Sequence, residues 1–281
     1  MINRKTKTGG HDNSRLVAFG VLALVLVGAL AVGAAVGYDA LARIWREQFR
    51  IQDRDIDVVV TSGKLIHPDV ITYSFGLTNG ANLATIPFAS LRADLLERYP
   101  NIRDIRIERS LPQRVTIEVF EREPIVRVVS NRARGETSRV ADAEGVVFRF
   151  AGETGTLPII QESGETPTPP GHRLTGSAAA ALLLVEVASL PELAELQIRS
   201  IDTMHKDYLQ LALANRDYAH VAWDHMNDRS PASRASLSRQ LRHLLKTISA
   251  NLTSRPVLWL ATDWGTPGRV TRSDLARAGL K

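Results

Sequence analysis

The sequence predicts an α+β protein held to a membrane by one N-terminal helix. Three observations carry that expectation. The run LVAFGVLALVLVGALAVGAAVG, residues 16–37, is 22 residues long and uncharged. Residues 55–124 read as strand, helix, helix, strand, strand. From 125 onward short alternating strands are interrupted by two helical patterns, which gives a β-rich domain with flanking helices.

At ~1.5 Å per residue the first run spans about 33 Å, enough for a ~30 Å hydrocarbon core. A cleaved signal peptide is the competing reading, because Ala29-Leu30-Ala31 resembles a small-x-small cleavage site. The apolar run continues past that site, so an uncleaved anchor is expected. Residues 1–15 form a tail with Arg4, Lys5, Lys7 and Arg15 against Asp12. Residues 38–54 form a charged juxtamembrane spacer with Arg43, Arg46, Arg50 and Arg54. The basic count is a tie and does not orient the helix. A cytoplasmic tail with the bulk outside is the commoner arrangement for a lone N-terminal anchor.

The chain has 281 residues, 44% hydrophobic and 23% charged, which is the composition of a folded protein. Of the net charge of +5, the tail alone supplies three. A nucleic-acid binder carries its basic surplus on the folded part, so that class is set aside. There are no cysteines, which removes disulfides, thiol catalysis and Cys-ligated zinc.

Residues 56–60 read as a first strand, ended by Thr61-Ser62-Gly63. Residues 68–75 suit a short helix, and Asn79-Gly80 signals a turn. Residues 88–98 suit a longer helix: Leu91, Leu95 and Leu96 share a face and Pro100 stops it. Then Ile105 and Ile107 alternate with charged residues, and after Leu111-Pro112 Val115, Ile117 and Val119 alternate with Thr116 and Glu118. Period-two alternation buries one face of an antiparallel hairpin, which can receive the helices.

This order is that of a POTRA domain, and the motifs resemble the bacterial cell-division family FtsQ/DivIB. They are Leu95-Leu96-Glu97-Arg98-Tyr99-Pro100, Ile105-Arg106-Ile107-Glu108-Arg109, Leu111-Pro112, and the closing Glu121-Arg122-Glu123-Pro124 of the E-R-x-P type. Farther on, Asp142-Ala143-Glu144-Gly145-Val146-Val147-Phe148 resembles the family's D-x-x-G-x-V-F turn and strand, and Leu157-Pro158-Ile159 its L-P-hydrophobic step. The resemblance implies a POTRA domain over 55–124, an FtsQ-type β-domain over 125–272 and a tail over 273–281.

Within the β-rich region, 125–129 and 146–150 are expected as strands and 163–176 as a proline-bearing loop. A helix capped by Ser177 is expected to run to Ser189. A strand at 196–201 and a hairpin over 209–223, turning at Asn215-Arg216-Asp217, follow. Residues 233–252 carry the clearest amphipathic stripe: Leu237, Leu241, Leu244, Leu245, Ile248 and Leu252. The last strands are expected at 257–261 and 268–271.

No catalytic motif emerges. The D-x-D-x-D of Asp53, Asp55 and Asp57 fails as a calcium loop, with Val58 where Gly is needed and Lys64 where Glu is needed. Asp217, His220, Asp224 and His225 form the dense His/Asp group, and strand alternation disperses them. No cofactor or metal is expected.

The resemblance implies a non-enzymatic scaffold of the division site in the bacterial inner membrane. Its implied partners are the single-pass FtsB and FtsL proteins (DivIC-like in some bacteria) and other division proteins. They would be bound through POTRA and β-domain edges, by strand addition near the C-terminus. Candidate partner-binding residues are Val257, Trp259, Trp264, Gly268, Arg269, Val270 and Thr271, with Glu121, Arg122 and Pro124 as the hairpin motif. The alternatives are another POTRA-bearing envelope assembly protein and an anchored cell-wall hydrolase.

Overall fold

The computed structural model describes residues 27–28, 30, 32–34, 36–38, 41–44, 47, 49–50, 56–61, 66–110, 114–130, 138–164, 166–226, 228–251, 255–261 and 271–273. Most of the expected membrane segment lies outside them, as do Leu111-Pro112, Leu252, Asp53 and Asp55. Among the described residues no helix is long and apolar enough to cross a membrane. The described positions between 27 and 38 are helical, and Val27, Leu30, Val32 and Val36 are each about two-thirds exposed.

The chain divides into two compact units, one gathering 1–57, 72–87 and 107–116, the other 58–71, 88–106 and 117–281. In the first, Leu83 N–H donates to Phe49 O (3.0 Å) and Arg50 bridges Asn82. The chain leaves its short helix through Gly76 at φ +64°, a left-handed cap in which Leu77 N–H reaches back to Thr72 O (3.0 Å).

The expected strand and helix order is present: β1 (Ile56–Thr61), α1 (Pro68–Ser74), α2 (Phe88–Arg98), β2 (Ile102–Ser110) and β3 (Arg114–Glu121). The sheet order is β1-β3-β2. Val115, Ile117 and Val119 are buried, as alternation demands. Strand β2 departs from the simple pattern: Ile102 and Ile105 are buried, three apart, while Ile107 is only half-buried. The odd spacing breaks the alternation at Arg103-Asp104. There Asp104 turns its carboxylate to Ile105 N–H (2.8 Å) and to Arg92 of α2 (2.5 Å).

The second unit contains a nine-stranded sheet in the order β12-β11-β10-β9-β8-β7-β4-β5-β6. Its strands are β4 (Val126–Ser130), β5 (Arg139–Ala141), β6 (Val147–Arg149), β7 (Ile159–Glu162), β8 (Ile198–Asp202), β9 (Leu209–Leu213), β10 (Tyr218–Val221), β11 (Leu258–Ala261) and β12 (Thr271–Ser273). Strands β7 and β8 are parallel, and so are β10 and β11. A parallel pair needs a crossover; a helix supplies it in both of these, whereas the parallel pair β4–β7 is joined through β5 and β6. Between β7 and β8 the chain forms α3 (Gly176–Ala188) and a 3-10 turn (Pro191–Leu196), and between β10 and β11 it forms α4 (Pro231–Ala250).

The two helices pack with the inward sheet positions in one core. Helix α3 is apolar nearly all round, with Leu182, Leu183, Leu184 and Val187 buried. Helix α4 buries Leu237, Leu241, Leu244 and Ile248, a 4-3-4 spacing that keeps one stripe inward. Two helix starts differ from expectation. Helix α3 is preceded by Thr175 rather than capped by Ser177, and no side chain caps it. Helix α4 starts earlier, at Pro231, because Ser230 Oγ accepts Ser233 N–H (3.1 Å) and proline suits the first turn. Ser233 is then buried, and its hydroxyl accepts the Trp223 indole N–H (2.9 Å).

Candidate partner-binding edges

An extended segment can be added to a sheet only where backbone groups are open, so the two outer strands decide what this sheet can bind. They are β12 and β6. The β6 side is covered. Residues 171–174 run beside it: Gly171 N–H donates to Val147 O (2.7 Å), Val147 N–H to His172 O (2.9 Å), and Leu174 N–H to Gly145 O (2.8 Å). Gly171 makes this approach at φ +85°. The loop behind it is tied down by a buried ion pair, Arg139–Glu162 (2.8 Å), whose members also bond the Thr168 backbone.

The β12 side is the C-terminal edge. Thr271 and Arg272 are exposed and pair antiparallel with Leu260 and Trp259. Of the sequence-predicted residues, Thr271 lies on this edge strand. Trp264, Gly268, Arg269 and Val270 lie outside the described residues. The described strand is Thr271–Ser273, where 268–271 was expected.

Val257 and Trp259 turn inward. Both are buried, Trp259 at 2% exposure. The indole N–H donates to Asp217 Oδ2 (2.9 Å) and Val257 N–H to Asp217 Oδ1 (2.9 Å). Asp217 also accepts the Asn215 amide (3.0 Å). A residue weighed as part of a His/Asp group is therefore the fixture that seats β11. Gln240 of α4 holds its other end, donating to Ala261 O (2.8 Å).

His220 stands elsewhere. It stacks on Tyr208 (4.3 Å between centroids), whose other face carries His205 (4.3 Å), and its Nε2 meets Gln210 Oε1 (3.2 Å). Burial, and secondarily His205, pushes its imidazole below the ordinary value. Among the described residues no group of three or more His, Asp or Glu could hold a metal ion.

The hairpin motif turns inward too. Glu121 is buried and accepts Ile66 N–H (2.7 Å). The Arg122 guanidinium donates to Pro100 O (3.1 Å), to Asp142 Oδ2 (2.5 Å) and to Glu144 (3.4 Å). Asp142 spends its other oxygen on the N–H groups of Glu144 (3.0 Å) and Val146 (2.9 Å), and Gly145 at φ +82° closes that turn. Pro124 lines a groove of about 720 Å³ with Ile125, Leu157, Pro158 and Arg234. The sequence flagged both motifs and missed that one grips the other.

Comparison with known proteins bears on the hairpin and its domain. The chain carries a POTRA domain of the FtsQ type, matched over residues 56–122. It is similar to the cell division protein FtsQ of Corynebacterium glutamicum, 30% identical over 89 residues, which is 32% of this chain and 38% of that one. Both matches support the FtsQ/DivIB family.

Proposed function

We propose that this chain is a non-enzymatic, membrane-anchored scaffold of the bacterial division machinery. It binds single-pass division proteins of the FtsB/FtsL (DivIC-like) kind by strand addition at β12. The observation that carries this reading is the asymmetry of the nine-stranded sheet: the β6 side is covered by 171–174, and β12 presents exposed residues at the other side. A strand bound there gains a ladder of backbone hydrogen bonds, and side-chain contacts supply the selectivity. The anchor is residues 16–37, supported by the outward apolar side chains at Val27, Leu30, Val32 and Val36. The tail 1–15 is cytoplasmic and the folded part lies outside the inner membrane, at the division site.

The test is a pull-down from detergent-solubilised native membranes with the full chain beside a chain ended at Val270. That end removes β12 and leaves the buried Val257 and Trp259 in place. Small single-pass proteins retained by the full chain and lost with the shorter one are the expected result. Equal retention by both would rule out this edge.

A further inference from the structure

We propose that the Arg122–Asp142 ion pair is a clasp that mechanically couples the end of the POTRA hairpin to the C-terminal edge of the nine-stranded sheet. The coupling matters for function only if both places bind partners, so its importance rests on the scaffold reading, while its existence does not.

The route is continuous in the structure. The Arg122 side chain is 13% exposed and that of Asp142 7%, so their bond is shielded from solvent competition. Besides the guanidinium bonds, Arg122 N–H donates to Asn101 O (2.8 Å). The end of β3 and the α2–β2 turn are thus gripped together. Asp142 passes the constraint into its own turn through Glu144 and Val146. The next carbonyl, Ala143 O, accepts Arg229 Nη2 (3.1 Å), and the same nitrogen meets Glu186 of α3. Glu186 also accepts Arg234 of α4 (2.6 Å). Two turns along α4, Gln240 holds Ala261 O, the last residue of β11, on which β12 pairs.

Every junction but the last on this route has an ionised donor or acceptor, and such bonds are shorter and stronger than neutral ones. A surface ion-pair list would have little meaning, because exposed pairs contribute little. This set differs in that its first pair is enclosed and both carboxylates, Asp142 and Glu186, accept from more than one residue. Arg122 also spans a long stretch of chain: it touches Pro100, 22 residues before it, and Asp142, 20 after.

The experiment is hydrogen–deuterium exchange on the full chain in nanodiscs, with no partner present, so failure of the scaffold reading leaves it interpretable. Arg122→Met removes the clasp from one side. Asp142→Asn removes it from the other and keeps an oxygen for the Glu144 and Val146 N–H groups, so the turn survives. Val119→Ala is the control, a buried truncation in β3 that leaves the clasp intact. Coupling of ordinary size predicts that exchange at 258–261 quickens about fivefold or more in either clasp variant. The double variant is expected to match the singles, and Val119→Ala to leave 258–261 at the wild-type rate. Exchange there that stays below that rise in Asp142→Asn and Arg122→Met, or that rises equally in Val119→Ala, overturns the proposal.

Discussion

The Trp259 indole is bonded to the Asp217 carboxylate from 42 residues away, and with the Val257 N–H on the same carboxylate this contact seats one end of the penultimate strand of the sheet. Trp259 fills the core with its ring and meets a charge with its only polar atom, so neither end is left over for a partner. The proposed surface for strand addition, β12, is one strand farther out than the tryptophan.

Asp217→Ala strands the Val257 and Trp259 N–H groups in the interior. Each buried donor left unmade costs about 1–3 kcal/mol. A loss of roughly 3 kcal/mol in urea unfolding, followed by tryptophan fluorescence, is expected. Asp217→Asn is expected to lose less, because its oxygen retains one of the two bonds. Equal stability of Asp217→Ala and the native chain would remove the carboxylate from this role.

Glu121→Leu leaves Ile66 N–H facing an apolar group. A destabilisation of about 1–3 kcal/mol is expected, read as a lower urea midpoint with an unchanged slope. A changed slope would mean that the substitution altered compactness rather than one bond.

His220 gives the domain a pH dependence on the acid side. Its imidazole sits below the ordinary value of 6.5 in the folded chain, from burial first and His205 second. The folded state then binds the proton more weakly than the unfolded one. Stability is intact above about 6.5 and falls as the pH drops below that value toward the lowered folded one. Thermal midpoints taken between pH 7.5 and 5 are expected to fall less for His220→Gln than for the native protein. Parallel curves would assign the slope to other groups.

Ser230→Ala removes the side-chain cap at the start of α4. A loss of about 1 kcal/mol is expected from thermal or urea unfolding. The effect would be confined to stability, with strand pairing at β11 and β12 unchanged by exchange.

Much of the architecture is legible in the sequence because burial writes a period into it. The α4 stripe, the Val115-Ile117-Val119 alternation and the Leu209-Leu211-Leu213 alternation each match one buried face. The misses have physical reasons. Strand β5 is three residues long and begins with an arginine that is buried by pairing with Glu162, which reverses the usual pattern. Strand β7 is buried on alternate residues but follows a proline and ends on that same glutamate. Asp217 reads as a turn residue, since Asn215 and Arg216 surround it, and nothing local announces a partner 40 residues on. Trp259 is ambiguous in any sequence, because a core and an interface want the same side chain. The E-R-x-P and D-x-x-G patterns are each visible, but the bond between Arg122 and Asp142 is a fact of three dimensions.

The covering of β6 by residues 171–174 has a consequence for stoichiometry. In polymer terms the β6 end of the nine-stranded sheet carries a built-in chain stopper. A stopped end cannot serve as a link, so sheet-to-sheet addition cannot proceed from that side. A sheet with both ends open would risk stacking edge to edge into fibres wherever its copies are crowded. The stopper is supplied by the chain itself, 22 residues after β6 ends.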